Sequence, residues 1–221
     1  MLKRLRSRLW AIYHGSEEVP EKKSPWESLA PNTNVTEWVS NGGDPLIPGQ
    51  GVANLDHRVM VSEQFKDDDA GNQIPGDIGV SVFFRSKAKT PTTYKTVPMC
   101  MALKDDSLIT VSEDHVATRY NLHCGCVEHH RLGFTGDDVV RYFWVSELSA
   151  VVVVGTGASR TRAYGITMNG VATIAIADHY GAVSVHSPGD GTVLVKIGDL
   201  SYPLDVTKYH TKHYAKGTGY A

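Results

Sequence analysis

The residues best suited to chemistry lie in three places along the chain. Asp114-His115-Val116 follows directly on Ser107-Leu-Ile-Thr110. An imidazole just past the end of a buried strand has a rigid backbone and can face a cleft, which suits a general base. Glu147, in Ser146-Glu147-Leu148-Ser149, opens the aliphatic run that continues to Val154. A carboxylate there could hold the second ring nitrogen, fix its tautomer and stabilise the imidazolium. Asp137-Asp138 is a rival for the same role. Lys216-Gly-Thr-Gly-Tyr220, ahead of Ala221, is a glycine-rich loop whose N–H groups could converge on an oxyanion.

A fourth cluster, His123-Cys124-Gly125-Cys126-Val127-Glu128-His129-His130, packs two thiols and three imidazoles into eight residues. Structural zinc draws its ligands from two separated knuckles, and Cys-Gly-Cys is tight for that purpose. The cluster reads first as a strand or hairpin with exposed histidines. If it does take a metal, Cys124, Cys126 and one histidine are the ligands. No cofactor is expected. Gly155-Thr-Gly-Ala-Ser159 lacks the Lys-Ser/Thr of a phosphate loop and reads as a linker. Arg160 and Arg162 beyond it read as a solvated loop, with a weak RNA contact as the alternative.

Elements must hold these groups in place. From residue 76 onward, short runs rich in Val, Ile, Thr and aromatics alternate with turn residues, and no helical period persists for three turns. Strands are predicted near residues 78–85, 95–103, 107–111, 139–145 and 148–154. A second set is predicted near 163–168, 171–177, 182–187, 192–197 and 201–206. Turns are predicted at Met168-Asn-Gly-Val171 and Ser187-Pro-Gly-Asp-Gly-Thr192, where Asn and Gly accept positive φ. Upstream, Leu2, Leu5, Leu9 and Ile12 share one face with Lys3, Arg4, Arg6 and Arg8 between them. That spacing predicts a short basic amphipathic helix. It either packs on its own domain or reaches RNA, lipid or a neighbouring subunit. Residues 15 to 76, with recurring proline and acidic residues, read as an extended arm or linker, with Val59-Met-Val61 as a candidate strand.

Composition narrows the field. Among 221 residues, 22 Lys plus Arg face 24 Asp plus Glu, so no global basic field calls for nucleic acid or a membrane surface. The run 150–154 is too short to span a bilayer. Three cysteines form no disulfide framework, and the odd count suits a reducing compartment.

Taken together, 102–110 with Asp114-His115-Val116, Glu147-Leu-Ser-Ala-Val-Val-Val and Gly219-Tyr220 resemble the chymotrypsin-like cysteine proteases of picornaviruses, the 3C and 3C-like group. The first resembles the strand that delivers the family's histidine, and the second its acid strand. The third resembles the Gly-aromatic pair before its nucleophilic cysteine. Glu147 is preferred to Asp137-Asp138 because the aliphatic run follows it as it does in that family. The resemblance implies an all-β fold of two chymotrypsin-like barrels, residues 76–156 and 157–221, the second incomplete. Residues 1–75, the basic helix and proline-rich arm, would precede them. It implies a viral endopeptidase acting on its own polyprotein in the host cytoplasm, with His115 as base and Glu147 orienting it. The backbone N–H groups of Gly219 and Ala221 would bind the oxyanion. Ala221 stands where the nucleophile belongs, so this chain would not cleave peptides. The competing expectation is a non-enzymatic, self-assembling β-rich capsid or cement protein in the virion, whose N-terminal arm makes contacts between subunits.

Overall fold

The computed structural model describes residues 37–67, 69–85, 92–177 and 180–208. Sixteen strands and one 3₁₀ turn make up the elements of this region. The three-residue strand β1 (Trp38–Ser40) is followed by the first sheet: β2 (Gly51–Ala53), β3 (His57–Asp67), β4 (Gln73–Phe84) and β5 (Thr92–Lys95). The second holds β6 (Pro98–Lys104), β7 (Ser107–Ser112), β8 (Val116–Asn121) and β9 (Cys126–Arg131), with β1 added beside β6. The third is β10 (Val139–Val145), β11 (Ala150–Thr156), β12 (Arg160–Thr167) and β13 (Gly170–Ala177). The fourth is β14 (Val183–His186), β15 (Thr192–Ile197) and β16 (Leu200–Asp205). Apart from β1, each sheet is a meander in which every strand pairs antiparallel with the next in the chain.

Three apolar layers join the four sheets in chain order. The first packs Val59, Val61, Val80 and Val82 of the first sheet against Met101, Leu103, Leu108 and Tyr120 of the second. The next packs Ala102, Ile109 and Val111 against Tyr142, Val151, Val153 and Ile166. The last packs Val152, Val154, Ala163 and Ile176 against Val193, Val195, Ile197 and Leu204. The period of two along a strand explains how one run serves two layers. In β11, Val151 and Val153 enter the middle layer while Ala150, Val152 and Val154 enter the last. All five are at most 1% exposed, so the aliphatic run is the signature of a strand buried on both faces. In β6 the alternation slips at a bulge near Met99, where the register with β7 shifts.

The all-β expectation holds among the described residues, and each of the ten predicted strands overlaps an observed one. The organisation differs from the expectation in two respects. Residues 38–67, read from sequence mainly as an arm, carry β1, β2 and β3, and Val59 and Val61 belong to the core. The expected barrel boundary at 156/157 falls inside one sheet, because β11 and β12 pair directly, Thr156 opposite Thr161. The described pairings close neither half into a barrel; they form four open sheets. The predicted helix at residues 1–13 lies outside the described residues. No described helix is long and apolar enough to cross a membrane.

Candidate functional site

His115 lies in the β7–β8 turn, which short-range bonds hold firmly. Its N–H donates to the Ser112 carbonyl at 3.0 Å, and its own carbonyl accepts from Leu132 N–H at 2.9 Å. The Ser112 hydroxyl donates to the Asp114 carboxylate and accepts from Val116 N–H at 3.3 Å. Glu113 N–H donates to the Val97 carbonyl at 3.0 Å, tying the turn to the β5–β6 connection. Closing so tight a turn puts His115 at φ 60°, the left-handed region that non-glycine residues seldom adopt. Its ring stands edge-on to Phe134, with centroids 5.6 Å apart, and Phe134 stands edge-on to Tyr164 at 5.1 Å. The His115 Nδ1 is buried and has no hydrogen-bond partner.

The surrounding loop, 133–138, carries the nearby polar groups. Tyr164 Oη accepts from Gly133 N–H at 2.9 Å, and the Arg162 guanidinium donates to the Gly133 carbonyl. Asp138 accepts from Thr135 N–H at 2.7 Å. Asp137, Asp138, Arg160 and Arg162 share a cavity of ≈ 230 Å³ with Gly155 and Gly157. The two arginines, read from sequence as a solvated loop with a weak RNA contact as the alternative, thus share their cavity with two carboxylates.

Glu147 occupies a different region. It is exposed, in the 3₁₀ turn Ser146–Leu148 that joins β10 to β11. Leu148 and Ser149, next to it, line a cavity with Lys104, Asp105 and Ser107 at the beginning of β7. His115 lies beyond the other end of β7, so at about 3.3 Å per residue the two are separated by roughly 20 Å. The structure does not bring His115 and Glu147 together. Asp137-Asp138, the acids passed over in the sequence, are on the same side as His115 through Phe134, whose ring lies under Gly155. Ala221 and Gly219 lie outside the described residues.

A larger cleft, of ≈ 500 Å³, opens between the β5–β6 connection and β7–β9, lined by Lys95, Glu113, Asp114, Thr118 and His129. Thr118 Oγ1 and His129 Nδ1 are 2.9 Å apart in its wall. His129 is exposed, as the sequence reading expected of these histidines. Cys124 and Cys126, the candidate metal ligands, are joined in a disulfide. The sequence reading expects no disulfide framework and does not single out this pair. Among the described residues no group of three His, Cys, Asp or Glu side chains is placed to hold a metal. Cys100 is buried within the middle layer, and burial pushes its thiol far above the usual range.

No protein-family model, curated protein or solved structure was found to match the chain.

Proposed function

We propose that the chain is a non-enzymatic interaction scaffold built from blade-like sheets, closer to the assembly-component expectation than to the protease. The observation that carries this reading is the stacking of successive meanders face to face in chain order. Their first strands begin at residues 51, 98, 139 and 183, a repeat of roughly 41–47 residues, the size of a β-propeller blade. The third strand β16 lies against β12 and β13 of the preceding sheet. Such sheets spend their side chains on one another and leave edges and loops for recognition. The mixed-charge cleft of Lys95, Glu113, Asp114 and His129 is the natural docking groove for a polypeptide segment.

Proteolysis is the second reading. What favours it is the unpartnered Nδ1 of His115, on the same side of the molecule as Asp137-Asp138. One experiment separates the two. In Ala221→Cys, a His-activated thiol would react with iodoacetamide about tenfold or more faster than in Ala221→Cys/His115→Ala, since an imidazolium partner raises the thiolate fraction. The scaffold reading expects rates within about twofold of each other, and no cleavage of a peptide library by either variant. A His115-dependent thiol would overturn it.

A further inference from the structure

The Cys124–Cys126 disulfide closes the tip between β8 and β9 around a single residue, Gly125. A bond across so short a loop removes little freedom from the unfolded chain, because the stabilisation grows with loop length. The tip is also held without it. The Asn121 side-chain oxygen accepts the N–H groups of His123 at 3.0 Å and Cys124 at 3.1 Å. Gly125 N–H donates to the Asn121 carbonyl at 2.8 Å, with Gly125 at φ 69°, and Asn121 pairs with Cys126 across the strands. The two Cα atoms, 5.4 Å apart, are therefore set at disulfide distance by the hairpin itself. Both cysteines are exposed, while Cys100 is fully buried. The pair also walls a cleft of ≈ 320 Å³ shared with Arg119, Glu128, Met168 and Asn169, open to a small molecule.

A bond that adds little to stability, in a loop that keeps its shape when the bond is cut, is placed for chemistry. We propose that Cys124–Cys126 is a thiol–disulfide exchange site for small thiols of the glutathione class. A thiolate RS⁻ attacks one sulfur, forms an RS–S bond and expels the other cysteine as thiolate. A second RS⁻ attacks that mixed disulfide, releasing RS–SR and leaving the protein dithiol. Two electrons pass from two thiols to the protein, and the reverse reaction returns them to RS–SR.

The test is equilibration of the native full chain in glutathione buffers of varied reduced-to-oxidised ratio, followed by alkylation and mass spectrometry. Cys124 and Cys126 are expected to convert together, both alkylated or neither, while Cys100 stays unlabelled and the circular dichroism is unchanged. A pair that stays unlabelled in fully reduced glutathione would be an inert structural bond. A pair that is labelled in fully oxidised glutathione would never close. Either result overturns the proposal. Cys126→Ser provides the second check: it is expected to trap a mixed disulfide with glutathione at Cys124, and an unmodified Cys124 also overturns it.

Discussion

His115 lies just beyond the last residue of β7, whereas Glu147 directly precedes Leu148 and Ser149, which share a cavity with Ser107 at that strand's other end. The relationship follows from strand parity. Three antiparallel strands, β8, β9 and β10, separate the two residues along the chain. Each reverses direction, so an odd number leaves His115 on one side of the stack and Glu147 on the other. The short connection 132–138 keeps β10 starting on the His115 side, as the bond from Leu132 N–H to the His115 carbonyl shows. The two acidic candidates then differ in a measurable way. Glu147→Gln, at an exposed turn, is expected to change stability by no more than about 0.5 kcal/mol. Asp138→Ala loses the bond that caps Thr135 and is expected to cost about 1 kcal/mol in urea unfolding.

Gly155 is a packing requirement on the His115 side. A Cβ there would fall 2.3 Å from the Phe134 ring, far inside contact distance, whereas one on Gly136 would meet nothing. Gly155→Ala is therefore expected to destabilise by about 1–3 kcal/mol, and Gly136→Ala to cost far less. Because the clash is with one side chain, Phe134→Leu should restore part of the loss. A double-mutant cycle by thermal denaturation measures the coupling, and an additive result would show that Phe134 is not what excludes the methyl.

Arg119, only 5% exposed, forms an ion pair with Glu128 and donates to the Thr167 carbonyl at 3.0 Å, tying the second sheet to the third. Glu128→Gln weakens the charge pairing of a buried guanidinium. The expected cost is about 1–3 kcal/mol, below that of a fully buried pair because Glu128 is partly solvated. Arg119→Met combined with Glu128→Gln removes the buried charge, and its chemical denaturation midpoint is expected to recover toward the parent.

Asp205 gives a pH signature. Hydrogen bonds from the Thr207 side chain, then from Lys208, lower its carboxyl to about 2. A depressed folded value means that its contribution to stability is fully present above the unfolded carboxylate value near ~4 and is lost as pH falls through about 2. Carbon-detected titration should find its midpoint in that acid range. Thr207→Ala should move the midpoint upward, and an unmoved value would rule out Thr207 as the cause.

The sequence by itself determined that this is a β protein and where most of its strands run. Alternating β-branched and apolar residues report burial directly, and Gly189 and Gly191, at φ 92° and 85°, do supply the turn their types predicted. The polar outer strands were less legible from apolar pattern: β9, Cys-Val-Glu-His-His-Arg, reads correctly as a strand or hairpin, but its bounds and partner follow from the backbone groups that β8 offers it, and backbone pairing is nearly indifferent to side-chain type. Which layer each apolar run enters was decided only in three dimensions. The run 150–154 announces burial on two faces but not what covers either face. The same holds for His115 and Glu147. Residue types and spacing made them a plausible pair, and a connection that crossed the sheet would have joined them. A meander that turns back at every strand puts them apart, and that choice is made by sheet-on-sheet packing between residues distant in the chain.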